Sequence, residues 1–216
     1  AGSDPSAGSM MPLPLAGKRI GLLSAWASRL GGGVFEAVVA QARLIAEQGG
    51  EVQVFALADR HCDDDAARFQ GLPVDVFPVS GPAQVGYAPL LLPALKAARL
   101  DLLHLHGIWM YPSLAASRWA RASSGGYVIS PHGMLDPWIT ARGRWKKALA
   151  RIGYERTSWH RASFLHALTT REASDIAAES GRRDSVVIPN AGPVAAPAPM
   201  APRPPHLTYI GRIHPM

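Results

Sequence analysis

The hydrophobic pattern of this chain switches repeatedly between short apolar runs and longer stretches in which apolar residues recur every three to four positions. The short runs predict strands, and the longer stretches predict helices. Strands are predicted at residues 19–24, 51–58, 74–79, 102–105, 127–130, 164–168 and 186–188. Helices are predicted between the second and third strands and at 34–47, 90–100, 112–123, 138–160 and 169–180, with a point of breakage at Gly153.

Strands that alternate with helices of this length predict a parallel sheet covered on both faces, because parallel strands need crossover connections. The predicted fold class is therefore a doubly wound α/β domain. In such sheets ligands bind beyond the carboxyl ends of the strands. The residues that directly follow each strand are thus the first candidates for function.

Composition narrows the class of protein. The chain has 216 residues, 48% of them hydrophobic, which is enough for one ordinary core. It contains no run of 18 apolar residues, and its start lacks the pattern of a secretory signal, so we expect a cytoplasmic location. Cys62 is the only cysteine, which excludes an intrachain disulfide and a multi-cysteine metal site.

Small, polar and proline-rich stretches mark the expected domain boundaries. Residues 1–16 are interpreted as a tag remnant and irregular start, and residues 17–190 as the α/β domain. Residues 191–206 are rich in proline and alanine and predict an interdomain linker. Residues 207–216 are interpreted as the beginning of a donor-binding domain, so we expect the chain to be a truncated enzyme.

A glycine turn joins the first predicted strand to the first predicted helix. Gly31, Gly32 and Gly33 would leave free backbone N–H groups at the positive end of that helix, where an anionic phosphate is favoured. The G-x-G-x-x-G spacing of dinucleotide-binding proteins is missing. A turn that serves only packing is therefore an equal alternative.

Histidines follow two neighbouring strands. His104 and His106 are expected on opposite faces of the sheet unless the strand ends between them, and therefore not as ligands of one metal ion. We expect His104 to be a hydrogen-bonded core residue and His106, beside Gly107, to face the ligand. His132 and Gly133 repeat this arrangement after the next strand. Neutral imidazoles there suit a sugar or a phosphate, and a structural role for His132 is the alternative.

A basic segment with interleaved tryptophans follows His132. Residues 141–161 carry seven Lys or Arg side chains against one acid, Glu155, which accounts for the whole formal charge of +6. Three interpretations are ranked in this order: a solvated helix face, an anionic membrane surface and, last, nucleic acid. The residues expected to face a membrane are Arg142, Arg144, Trp145, Lys146, Lys147 and Arg151.

These motifs together resemble the retaining glycosyltransferases of family 4, which have the GT-B fold of two facing Rossmann-like domains. The resemblance spans nearly the whole chain after Gly17. It is carried by residues 104–109, 130–138, 144–147, 188–190 and 211–215, which read HLHGIW, SPHGMLDPW, RWKK, IPN and GRIHP.

The resemblance implies that the chain is the N-terminal, acceptor-side Rossmann-like half of a GT-B enzyme of bacterial polysaccharide biosynthesis. It implies transfer of a hexose from a nucleotide sugar to a lipid-linked or oligosaccharide acceptor, with retention at the anomeric carbon. The nucleotide-diphosphate sugar is then a co-substrate, and no cofactor, essential metal or nucleic acid is expected. Enzymes of this family are usually cytoplasmic and membrane-associated, which implies the inner face of the plasma membrane.

The resemblance also assigns roles to residues. Gly32 and Gly33 would approach the donor diphosphate or the acceptor, His132 would contact the transferring sugar as the catalytic residue, and Arg212 would begin the diphosphate-binding pair. The family's next lysine and the donor domain with its glutamate are absent, so the chain alone is expected to be inactive. The predicted binding set also includes Gly31, His106, Gly107 and Gly133.

A standalone Rossmann-like module that binds a nucleotide or carbohydrate without catalysis is the alternative function. An NAD-binding protein needs an acidic residue at the end of its second strand, and Asp59 is the only nearby candidate. Micromolar binding of a dinucleotide would support that alternative.

Overall fold

The sheet has seven parallel strands in the order β3-β2-β1-β4-β5-β6-β7 in the computed structural model, which describes residues 13–190. The predicted Rossmann-like α/β fold is thereby confirmed. The strands are β1 Arg19–Trp26, β2 Glu51–Leu57, β3 Val74–Phe77, β4 Leu102–His106, β5 Gly126–Ser130, β6 Phe164–Ala167 and β7 Val186–Val187.

Helices connect these strands. They are α1 Gly33–Glu47, α2 Cys62–Asp65, α3 Leu91–Ala97, α4 Tyr111–Ala122, α5 Pro137–Ala141, α6 Arg144–Ala150, α7 Arg156–Arg161 and α8 Thr170–Ser180. Two 3-10 turns lie at Arg29–Gly31 and Ala66–Phe69, and a π-helical turn lies at Arg151–Glu155. Among the described helices, none is long and apolar enough to cross a membrane.

Two hydrophobic cores cover the sheet. The first lies between α1 and the strands β1 and β2. The buried residues of α1 recur at helical spacing, so they share the face that packs on these strands. These residues are Phe35, Val38, Val39, Ala42 and Ile45. The second core lies between the odd-numbered positions of β4 and the helices α3, α4 and α7, with Trp119 and Trp159 fully buried in it. Central strands therefore have apolar side chains on both faces.

The predicted single helix over 138–160 is wrong in detail. The structure has three helices and a π-helical turn there, and the chain breaks at Gly143, which has a left-handed φ of 62°. Gly153 lies inside the π-helical turn. Propensity and spacing did not distinguish this turn from ordinary α-helix, because its residues have right-handed helical conformation throughout.

The boundaries proposed from composition fall partly outside the described residues. The proposed linker at 191–206 and the start of a second domain at 207–216 lie beyond residue 190. At the other end, Leu15 belongs to the stretch assigned to an irregular start, yet its N–H donates to the Gln48 carbonyl and its side chain packs on the first core.

Candidate functional site

A cavity lies where the strand order reverses, between the carboxyl ends of β1 and β4. This is where ligands bind in doubly wound sheets. The cavity has a volume of about 220 Å³, and its walls come from the end of β1, the glycine turn, the loop after β4 and the start of α4. Most lining residues are apolar, with Ser24, His106 and Ser113 as the polar exceptions.

The predicted binding residues divide into four groups. Gly31, His106 and Gly107 line the cavity. His132 contacts it indirectly, because its Nε2 lies 2.9 Å from Nδ1 of His106. Outside the lining are Gly32, Gly33 and Gly133, and Arg212 lies outside the described residues.

The glycine turn is built from local hydrogen bonds. The Ser28 hydroxyl accepts the Leu30 N–H at 3.2 Å and donates to Asp59 at 2.8 Å. Gly32 has φ 53° and ψ −129°, a conformation essentially restricted to glycine. Gly33 begins α1, and a Cβ added there would meet nothing within 4 Å. The turn therefore requires one glycine for its backbone and leaves open space at the next.

Four histidines form a cluster with Ser130 behind the cavity. They are His104, His106, His132 and His166. The Ser130 hydroxyl lies 2.7 Å from His104 Nε2 and 2.6 Å from His166 Nδ1. The expectation that His104 and His106 lie on opposite faces is wrong, since their ring centroids are 4.1 Å apart. Side chains two positions apart in a strand point to the same face. The expectation that His104 is buried and hydrogen-bonded is confirmed.

Burial keeps three of these histidines, His104, His106 and His132, uncharged. Together with repulsion from neighbouring histidines, it lowers the pKa of His104 to about 3 and that of His132 to about 4. The pKa of His106 also lies well below its ordinary value, chiefly through burial. Neutral imidazoles hydrogen-bond ligands without attracting anions. Among residues 13–190, no three His, Cys, Asp or Glu side chains are arranged to hold a metal ion.

Two buried polar atoms at the cavity lack a hydrogen-bond partner within the described part of the chain. They are Nε2 of His106 and Oγ of Ser113, and both residues belong to the cavity wall. Leaving a buried polar atom unpaired costs about 1–3 kcal/mol. A hydroxyl group of a bound molecule would satisfy Nε2 of His106, whereas the Ser113 side chain also lies near the Glu155 carboxyl group.

The loop that carries His132 is held by a buried acid, Glu172. His132 and Gly133 both have left-handed backbones, with φ of 54° and 75°. One oxygen of Glu172 accepts the Gly133 N–H at 2.6 Å and the other accepts the Leu168 N–H at 2.7 Å. Its own N–H donates to the Thr169 hydroxyl, which caps α8. The spacing of Thr169 and Glu172 fits a capping box, which is the only signal for Glu172 in the sequence.

A family model described as "Glycosyl transferase 4-like domain" matches residues 32–191, which is most of the chain and includes the cavity-lining residues from Val34 to Met134. The chain belongs to this family. Among curated protein sequences, none matches it significantly.

Solved structures support the same fold for this glycosyl transferase 4-like domain. Anabaena Alr3699/HepE, crystallised with UDP and glucose, has a TM-score of 0.61 and 17% identity over 81% of this chain and 45% of its own. Acinetobacter baumannii MurG has a TM-score of 0.52 and 15% identity over 82% of this chain and 47% of its own. The chain therefore spans less than half the length of either protein.

The basic segment of the glycosyl transferase 4-like domain exposes some predicted membrane-facing residues and turns others inward. Arg142, Arg144, Trp145 and Lys146 are exposed. Lys147 donates to the Ile139 carbonyl and lies over the Trp109 ring, and Arg151 pairs with Glu179, so contact of these two side chains with a membrane stays a prediction. Helical geometry directs these two side chains toward the body of the domain, whereas residues one position away face solvent.

Proposed function

We propose that this chain is the acceptor-side domain of a retaining glycosyltransferase. It would take part in transfer of a hexose from a nucleotide sugar to a hydroxyl of a lipid-linked or oligosaccharide acceptor, in bacterial polysaccharide synthesis and without an essential metal. Membership of the glycosyl transferase 4-like family supports the reaction class. The UDP and glucose named for the similar Anabaena structure support a nucleotide sugar as donor.

The unpaired Nε2 of His106 in a mostly apolar cavity is the observation that carries this proposal. Its Nδ1 shares a hydrogen bond with His132, and either imidazole can be the donor in that bond. The cavity-facing Nε2 is then either an acceptor or a donor. A hydroxyl suits both cases because it donates and accepts, so an alcohol such as a sugar fits this site better than an anion.

Turnover would need groups beyond those in the cavity. Departure of a nucleotide diphosphate requires positive charge or helix dipoles. The Gly31 and Gly32 N–H groups already donate to the Ser28 and Arg29 carbonyls, so Gly33 at the start of α1 would supply a backbone N–H group, and we assign Arg212 to the same task. We propose that a donor-binding domain supplies the rest and that the 216-residue chain alone does not catalyse transfer.

We also propose that the exposed part of the basic segment rests on an anionic membrane, where a lipid-linked acceptor would be found. Arg142 stacks over the Trp138 ring at 3.5 Å, and Lys146 lies 5.5 Å from the Trp145 ring. Beside these cations, four large apolar side chains are more than half exposed: Trp138, Trp145, Leu149 and Ile152. Amphipathic surfaces of this type bind lipid headgroups and acyl chains together.

Binding of hexyl glucoside, UDP-glucose and NAD to the chain, followed by NMR, tests the proposal. We expect hexyl glucoside to shift the resonances of His106, Ile108 and Ser113 saturably, and UDP-glucose to bind weakly or not at all. His106→Ala should abolish the hexyl glucoside shifts, while the exposed control His160→Ala should retain them. Micromolar binding of NAD without any effect of the glucoside would instead identify a dinucleotide-binding module.

A further inference from the structure

Glu155 is a fully buried carboxylic acid that belongs to none of the predicted binding residues. Its Oε1 accepts the Trp109 N–H at 2.5 Å, and its Oε2 has no hydrogen-bond partner among residues 13–190. Burial raises the pKa of Glu155 to about 7, although the Trp109 N–H, with Ser113 and Trp159 nearby, acts in the opposite direction. An acid in such surroundings costs stability, because no cation in the described residues pairs with it.

The residue that Glu155 contacts has a strained backbone. Trp109 is left-handed, with φ of 78°, which costs a residue with a side chain about 1–2 kcal/mol. Besides the bond from its N–H to Glu155, its carbonyl accepts the Tyr154 hydroxyl at 2.9 Å and its indole N–H donates to the Met134 carbonyl at 3.1 Å. Its ring packs edge-on against Trp159. The surroundings thus hold Trp109 in one conformation.

That conformation determines the shape of the cavity wall. Gly107, Ile108 and Met110 line the cavity, whereas Trp109 points away from it toward the π-helical turn. If Trp109 relaxed to a right-handed conformation, the chain would change direction at that point, and Ile108 and Met110 would not both remain in the wall. Two consecutive residues of the π-helical turn, Tyr154 and Glu155, bind the two backbone groups of Trp109.

We propose that Glu155 is a positioning residue that holds the segment from Gly107 to Met110 in the shape that binds the acceptor, while touching no ligand itself. This inference rests on the proposed function, in which that cavity binds the acceptor. The role requires an acceptor oxygen at position 155 and does not require a negative charge.

Substitutions that keep or remove this oxygen test the inference. Glu155→Gln retains an acceptor for the Trp109 N–H, and we expect amide resonances of residues 107–110 and affinity for hexyl glucoside close to those of the unmodified chain. Glu155→Leu removes the acceptor at similar size. We expect it to shift those four amides and to weaken hexyl glucoside binding about tenfold, with the circular dichroism spectrum retained.

Tyr154→Phe serves as the milder second variant, should Glu155→Leu fail to fold. It removes only the hydroxyl that binds the Trp109 carbonyl, and we expect a shift of the same amides with about threefold weaker binding. The exposed control Glu36→Gln should leave residues 107–110 unchanged. Unaltered amides of residues 107–110 in Tyr154→Phe and in any folded Glu155→Leu would overturn the inference.

The amide resonances also separate the two proposals. If the unmodified chain does not bind hexyl glucoside, the acceptor site is wrong. If residues 107–110 keep their resonances when the Glu155 oxygen is removed, positioning by Glu155 is wrong even where the glucoside binds.

Discussion

His106 and His132 come from the ends of neighbouring strands and share one hydrogen bond, with 2.9 Å between Nδ1 of the first and Nε2 of the second. The orientation of the imidazole in the cavity therefore depends on a residue outside the cavity. Because both rings are kept neutral by burial, neither is suited to act as a strong base near pH 7.

Under the proposed function, replacement of His132 by Ala should strongly impair glycosyl transfer by a protein that joins this domain to a donor-binding domain. The change removes the partner of His106 Nδ1 and the group expected to contact the transferring sugar, so we expect kcat/KM to fall about 100-fold. Steady-state kinetics and thermal unfolding measure this, with exposed His160→Ala as the control. Turnover at the unmodified rate would remove His132 from the site.

The stability of the domain should decrease as the pH falls below about 6.5. The pKa values of His104 and His132 are about 3 and 4 in the fold, against about 6.5 in an unfolded chain, so the unfolded chain takes up protons first. At pH 5 we expect protonation of each of these two histidines in the unfolded chain to lower the free energy of unfolding by roughly 1–2 kcal/mol. Urea unfolding at pH 7 and 5 measures this loss. His104→Gln should reduce the pH dependence and His160→Gln should not.

Glu155 should produce the opposite pH dependence between about pH 4.5 and 7, where it offsets part of the loss caused by the histidines. Its pKa is raised to about 7, so the fold favours the neutral acid, and stability falls as the pH rises from about 4.5 to 7. The nearby Tyr154 and Tyr127 also have raised pKa values and stay neutral in this range. The free energy of unfolding of Glu155→Gln should exceed that of the unmodified chain by roughly 2–3 kcal/mol at pH 8 and by little at pH 4.5. A less stable Gln variant at pH 8 would contradict this.

The exposed basic surface should bind anionic vesicles in a salt-dependent manner. We expect the chain to sediment with phosphatidylcholine vesicles that contain phosphatidylglycerol, and to be released as the salt rises from about 0.1 M to 1 M, where the Debye length falls from about 10 Å to 3 Å. Trp145→Ala and Lys146→Glu should weaken binding. Leu90→Ala, also exposed but before α3, is the control. Equal binding to pure phosphatidylcholine would count against an anionic surface.

Alanine substitutions at two consecutive glycines should have different effects. Gly32→Ala places a side chain in a conformation reserved for glycine and should cost about 1–3 kcal/mol. Gly33→Ala lies in open space at the start of α1, so its unfolding free energy should change little or rise by up to about 1 kcal/mol. In the active enzyme, however, Gly33→Ala should raise KM for the nucleotide sugar. Urea unfolding measures the stability of both variants, and steady-state kinetics measures KM for the nucleotide sugar. An unchanged KM in Gly33→Ala would exclude close approach of the nucleotide sugar to Gly33.

The sequence predicted the sheet well because strands buried on both faces form continuous apolar runs. It also placed His106 at the carboxyl end of β4, where the residue lines the cavity, while its contact with a ligand stays a prediction. The error over His104 and His106 came from applying strand alternation to residues two positions apart, which share a face. The pattern was sufficient to predict their proximity.

Other parts of the site depend on contacts that no local pattern contains. The left-handed backbone of Trp109 and its bond to Glu155 link residues 46 positions apart. One signal was nevertheless present, since Glu155 is the single acid in an otherwise basic segment. An isolated charge of opposite sign in such a segment is a reason to look for a buried partner. The positions of the Lys147 and Arg151 side chains over the Trp109 ring follow from which face of the helix packs against Trp109, and the sequence does not show that face.

The π-helical turn at Arg151–Glu155 changes the rotational phase of the chain between α6 and α7. Trp145, Leu149 and Ile152 face solvent before and within the turn, whereas Ser158 and Trp159 are buried after it. A helical wheel with a single period across these residues would therefore superimpose the outer surface of one helix on the inner surface of the next. Deleting one residue from the turn would restore a uniform period and rotate Trp159 out of step with the core.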